Sequence, residues 1–95
     1  MKKQPFSIRE RLLELRQTTA LYQEETAELL DLPYKTYQAI EGGRRTAIRL
    51  DTLEKIAEGY EIDLWQLFHP NLPKLNNSCE KRVIKLMKHR GIPRR

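Results

Sequence analysis

Residues 21–45 read LYQEETAELLDLPYKTYQAIEGGRR, and this stretch decides how the rest of the chain is read. Glu24 and Glu25 suit the positive N-terminal end of a helix that starts near Gln23. Ala27 and Leu30 share its inward face. Asp31-Leu32-Pro33 ends it, because proline disfavours helical geometry at the preceding residue and can itself open the next helix. That next helix is expected over about 33–41, where Gly42-Gly43 stops it. The segment is thus two short helices joined by a tight turn, followed by a glycine-broken loop carrying Arg44 and Arg45.

Upstream, Ser7 and Glu10 have the spacing of a capping box. Ile8, Leu12 and Leu15 then repeat on one face of a first helix. It is expected to end near Gln17, since Thr18 and Thr19 are β-branched and helix-poor. Downstream, a fourth helix covers about 50–59, with Leu50, Leu53, Ile56, Ala57 and Tyr60 on one side. Asp63 caps a short fifth helix through about Phe68, and Pro70 closes it. Residues 71–77, NLPKLNN, read as a linker. Ser78 is the expected cap of a sixth helix, with Gly91 and Pro93 marking its end. On that helix Cys79, Val83, Leu86 and Met87 form a stripe, and Lys81, Arg82, Lys85 and Lys88 lie largely outside it. No strand signal, internal repeat or low-complexity segment is present. The expected division is a domain over 1–70 and a linker plus basic helix over 71–95.

The net charge of +5 matters less than its placement. Residues 1–70 carry ten Lys or Arg against twelve Asp or Glu, a net of −2; residues 71–95 carry eight against one, a net of +7. Within the near-neutral part, Lys35, Arg44, Arg45 and Arg49 face only Glu41 between Pro33 and Arg49. Such a local basic strip is a better electrostatic footprint for nucleic acid than a high overall pI. A helix pair followed by that strip points to double-stranded DNA, the second helix entering a major groove.

Other classes fit poorly. No run of about 18 apolar residues suggests a membrane helix. The opening MKKQPFSIRERLLELR has no uninterrupted apolar core, so no signal peptide is read. A single cysteine, Cys79, gives no internal disulfide framework, and a cytoplasmic location is expected. Cys79, His69 and His89 lack the paired spacing of a metal site. No nucleophile has an orienting acid or an oxyanion device, so no enzyme and no catalytic residue is expected. Trp65 is read as core or interface.

In their order and spacing, residues 12–68 resemble the lambda-repressor-like, or XRE, helix-turn-helix family, over about 57 of the 95 residues. The matching positions are Ala20-Leu21, Gln23-Glu24-Glu25, Ala27, the turn Asp31-Leu32, and Ile40-Glu41-Gly42-Gly43. Thr52-Leu53, Ile56-Ala57 and the segment from Leu64 to Phe68 follow. The resemblance implies an all-α fold, a five-helix DNA-binding domain with an additional C-terminal basic helix. It implies that Tyr34, Lys35, Thr36 and Gln38 read bases. Gln23, the backbone of Arg44 and Arg45, and Thr46 would hold phosphates, and Arg49 would lie towards a minor groove. It implies an interior ion pair between Arg16 and Glu41. Asp31 stands where the family usually has glycine, Thr26 where it has leucine, and Tyr37 where it has a smaller aliphatic. Tyr22 and Pro33 replace polar caps, and Ile48-Arg49 replace Pro-Ser.

The function expected is a sequence-specific regulator, a repressor, with no cofactor. No small-molecule effector is expected, because no separate ligand domain fits. The alternatives are an antitoxin or restriction-modification controller of the same fold, a protein-interaction module, or an RNA-binding protein led by the basic tail. The sixth helix admits three readings: a dimer arm through 79–90, a further core helix, or extra nucleic-acid contacts. The homodimer arm is placed first, because a lone helix-turn-helix reads only a short half-site.

Overall fold

The computed structural model describes residues 7–91. Five α-helices follow in order: α1 (Ile8–Thr19), α2 (Gln23–Leu29), α3 (Tyr34–Glu41), α4 (Leu50–Tyr60) and α5 (Asn77–Arg90). A 3-10 segment, Leu64–Phe68, lies between α4 and α5, and no strand occurs among the described residues. Ser7 caps α1 as a capping box with Glu10; its backbone N–H donates to Glu10 Oε1 at 2.9 Å, and the Glu10 N–H donates to Ser7 Oγ at 3.2 Å.

Several element bounds depart from the sequence reading for local reasons. Helix α1 runs past Gln17 to Thr19. The two threonines stay helical because their hydroxyls find carbonyls one turn back: Thr18 Oγ1 donates to Glu14 O and Thr19 Oγ1 to Arg16 O. Ala20 then leaves the helix in the left-handed region, at φ 65°. Asp31 does the same at φ 56° in the turn before α3, a conformation aspartate tolerates better than most residues. Pro33 is the residue before α3 rather than its first. The fifth helix is a 3-10 turn: only five residues long, Leu64–Phe68, it forms i→i+3 bonds such as Gln66 N–H to Asp63 O. The cap of α5 is Asn76, not Ser78; Asn76 Oδ1 accepts from the Cys79 N–H at 2.8 Å. Ser78 Oγ donates instead to Glu61 Oε2. Pro93, the expected second stop of that helix, lies outside the described residues.

One buried cluster joins Leu12, Leu15, Leu21, Ala27, Leu30, Tyr37, Ile40, Ile56, Tyr60 and Leu67 to Cys79, Val83 and Met87 of α5. Here the leading expectation for the sixth helix is corrected. Of the stripe Cys79, Val83, Leu86 and Met87, three residues are buried in the chain's own core and Leu86 is partly buried against it, and α5 packs on α2. It is not open to a second copy. Arg82 fastens α5 to the end of α4, donating through Nε to Glu61 Oε2 at 3.0 Å and through Nη2 to Gly59 O. Leu50 is also corrected: it is 61% exposed, and the inward face of α4 is built from Ile56, Ala57 and Tyr60. Trp65, 60% exposed, is not core.

Arg11 is buried although it is charged. Its Nε donates to Leu67 O at 3.4 Å and its Nη2 to His69 O, so α1 holds the carbonyls at the end of the 3-10 segment. A buried guanidinium is tolerated only where its donors are met.

Candidate nucleic-acid interface

Helix α3 has two unlike sides. Tyr37, Ile40 and Glu41 are buried. Tyr34 and Lys35 are exposed, and Thr36, Gln38 and Ala39 are half-buried. Gln38 Nε2 donates to Tyr34 Oη at 3.3 Å, so two of the outward groups lie side by side one turn apart. The periodicity dictates this split, since residues three and four apart share a face.

The inward side is held by one carboxylate. Arg16 donates to Glu41 through Nε to Oε2 and through Nη2 to Oε1, both at 2.9 Å, the two parallel bonds that suit a planar fork. Gln23 Nε2 donates to Oε1 at 2.8 Å, and the Tyr37 hydroxyl donates to Oε2. Arg16 Nη1 reaches Leu21 O at 3.2 Å. One buried group therefore ties α1, the start of α2 and both turns of α3. Burial pushes the Glu41 carboxyl up, but Arg16, Tyr37 and Gln23 together hold it below the ordinary carboxylate range. The Glu41 hydrogen bond pushes the Arg16 guanidinium up despite partial burial. Burial, with Tyr60 and Glu41 nearby, raises the Tyr37 phenol well above its ordinary value, so it stays a donor.

The loop after α3 closes on itself. Gly43 takes φ 82°, and the N–H groups of Arg44 and Arg45 both donate to Ala39 O, at 2.9 and 3.1 Å. This corrects the expectation that these two amides are left for phosphates. They are used to finish the helix, and the side chains of Arg44, Arg45 and Thr46, all exposed, are what the loop presents. The side chain of Gln23 is turned inward to Glu41. Its backbone N–H stands at the first position of α2, where no intrahelical carbonyl meets it. Glu24, exposed in the same first turn, works against an anion there. Arg49 is largely exposed, with Nε 3.4 Å from Asp51 Oδ1.

A helix-turn-helix family model matches residues 11–64, more than half of the chain. The chain belongs to the lambda-repressor-like, XRE-type helix-turn-helix family. It matches no curated protein and no solved structure. The matched span of this helix-turn-helix protein contains Arg16, Gln23, all of α3, the arginine loop and Arg49, and it leaves α5 outside. The family is one of DNA-binding regulators, and its partner is double-stranded DNA. No helix among the described residues is long and apolar enough to cross a membrane.

Three features of the site were not visible in sequence. The donation from the Tyr37 hydroxyl to Glu41 is one, although a phenol one turn before a carboxylate is a local pattern that points to it. The inward turn of Gln23 and the shared use of Ala39 O depend on backbone geometry that no residue type announces.

Proposed function

We propose that this helix-turn-helix protein is a cytoplasmic, sequence-specific transcriptional repressor that lays α3 in the major groove of double-stranded DNA. One observation supports it above the others. Tyr34, Lys35 and Gln38 point away from the core while Tyr37, Ile40 and Glu41 fix the opposite side of the same helix. A reading helix has to be held rigidly for its outward side chains to meet base edges. Lysine suits guanine O6 and N7, and glutamine suits adenine N6 and N7. Tyr34 and Thr36 flank them. The side chains of Arg44, Arg45 and Thr46 and the backbone N–H of Gln23 hold phosphates, which sets position without carrying sequence information. Arg49 lies towards the minor groove. The DNA-contacting unit is residues 1–70, and α5 within 71–95 buttresses it. An antitoxin or restriction-modification controller would use the same contacts; the neighbouring gene distinguishes it.

Random-site selection followed by binding titrations tests this reading. On the selected duplex, Lys35→Ala is expected to lose about 1–3 kcal/mol of discrimination at one base pair. Arg45→Ala is expected to weaken all duplexes alike and to flatten the dependence of log K on log salt by about one unit. Unchanged sequence preference in Lys35→Ala removes that residue from the readout. Absence of salt-dependent binding by the wild-type chain favours a protein-interaction role instead.

We further propose that the repressor acts as a homodimer, since an eight-residue helix reads too little sequence by itself. With the α5 stripe inside the core, the uncovered aromatics of the 3-10 segment, Trp65 at 60% and Phe68 at 49% exposed, are the surface offered to a second copy. Sedimentation velocity should show a concentration-dependent dimer that Trp65→Ser shifts to monomer. An unaltered dimer in that variant places the contact elsewhere.

A further inference from the structure

The loop 42–46 is flanked by a cation that comes from far upstream. A Cβ built on Gly43 would stand 3.3 Å from Arg9 Cδ and 3.4 Å from Arg9 Nε. A Cβ built on Gly42 would stand 3.5 Å from Arg44 Nη1. The stem of Arg9 therefore lies close over Gly43, while at Gly42 the tight neighbour is Gln38 O, 3.0 Å away, and the guanidinium of Arg44 lies at ordinary contact distance. Gly42 and Gly43 are adjacent in the chain, so Arg9 and Arg44 both border the same short stretch of loop.

Arg9, Arg44 and Arg45 are exposed, and among the described residues no carboxylate is paired with these arginines. The two carboxylates nearest in sequence are occupied. Glu10 accepts from the Ser7 backbone in the capping box, and Glu41 is turned inward to Arg16, Gln23 and Tyr37. Like charges gathered without a counter-charge are relieved by an anion that accepts from several donors at once. A phosphodiester, with its two non-bridging oxygens, is such an acceptor, and guanidinium forks match it in geometry.

We infer that Arg9 is a phosphate-binding residue, acting with Arg44 as a two-arginine clamp on one backbone phosphate beside the major groove read by α3. Its place in the chain hid it, since Arg9 stands 34 positions before Gly43. Gly43 then has a second task besides its left-handed φ: the missing side chain gives the Arg9 stem its bed. This inference rests on the DNA-binding reading and adds a contact to it. The occupant is the DNA backbone because the patch is continuous with Arg45 and Thr46 in the loop that follows α3.

Salt titrations and phosphate-ethylation interference on the full chain test it. Arg9→Gln is expected to flatten the slope of log K against log salt by about 0.9. It should lower affinity for preferred and random duplexes by the same factor, keeping their ratio. It should also lose sensitivity to ethylation at one phosphate that matters to the wild type. Arg9→Lys, which keeps stem and charge, should retain the slope. If the wild type binds and Arg9→Gln has the same slope and interference pattern, the assignment of Arg9 is overturned alone. If the lysine variant is as flat as the glutamine variant, a charge-based contact is overturned. If the wild type shows no salt-dependent binding, the assignment falls together with the DNA-binding reading.

Discussion

Glu41→Gln lowers the stability of the chain by about 3 kcal/mol, a large share of the roughly 5–15 kcal/mol that holds a small domain folded. The carboxylate is 3% exposed and accepts from Arg16 twice, from Gln23 and from Tyr37. Removing one partner of a buried ion pair costs about 3–5 kcal/mol, because the other charge is left without compensation. Arg16 is 24% exposed, so water recovers part of that cost and the estimate belongs near the lower bound. The amide also brings donors towards the Arg16 guanidinium and the Tyr37 hydroxyl, which want acceptors. The midpoint of urea unfolding reads the effect. A variant within about 1 kcal/mol of wild type would mean that apolar contacts alone hold α1 to α3.

The same carboxylate gives the stability a pH dependence of defined sign. Its folded pKa is held below the ordinary value, chiefly by Arg16, against the upward push of burial. A depressed carboxyl contributes stability that is complete above the unfolded pKa, near 4.5, and is lost as pH falls through the lower folded value. The wild type should therefore lose stability steeply below about pH 4.5, and Glu41→Gln should show a flatter acid limb. The outward strip of α3 depends on this group, so acid should loosen the reading helix before the apolar core yields.

How far the sequence reveals such a site depends on how local each contact is. The capping box of Ser7 and Glu10, the break at Pro33 and the glycine stop after Glu41 involve neighbours in the chain, and residue type is enough to read them. The meeting of Arg16 with Glu41 is not local, but two helices in a fixed order leave few places for an arginine at the end of one and a glutamate at the end of the other. Arg9 and Arg11 had no such guide. One lies on a loop 34 positions away, the other on the carbonyls of Leu67 and His69, and each looks in sequence like an ordinary solvated arginine on α1. The stripe on α5 shows a deeper ambiguity. Amphipathic spacing says that Cys79, Val83 and Met87 are covered but not by what, and the chain's own core competes with a second copy on equal terms. Leu50 fails for a simpler reason: at the first position of α4 it has no turn behind it to lean on, and the inward face begins later.

Gly59→Ala should be the most damaging change outside the ion-pair network, and local propensity predicts the opposite. Gly59 lies within α4, where alanine is worth about 1 kcal/mol more than glycine. Yet α4 crosses the end of α2 at this residue. An added Cβ would stand 2.4 Å from Leu30 Cδ2, 2.9 Å from Leu30 Cα and 3.0 Å from Leu29 O. The first contact could be relieved by a rotamer change. The other two are backbone, and only a shift of one helix relieves them. Helix α4 has little freedom to shift, because Ile56 and Tyr60 are fully buried on either side of the crossing. The carbonyl of Gly59 also accepts from Arg82 Nη2 and from the Cys79 thiol, so moving α4 drags on α5 as well. Overpacking a tight core commonly costs about 1–3 kcal/mol and sometimes more. With two helices fastened to one point, the upper part of that range exceeds the propensity gain, leaving a net loss of about 2 kcal/mol. In a domain of this size that lowers Tm by roughly 8–16 °C, readable by circular dichroism at 222 nm. A variant that melts at or above the wild-type temperature would show that α2 and α4 do not cross this closely, and the role of α5 as a buttress would fall with that crossing.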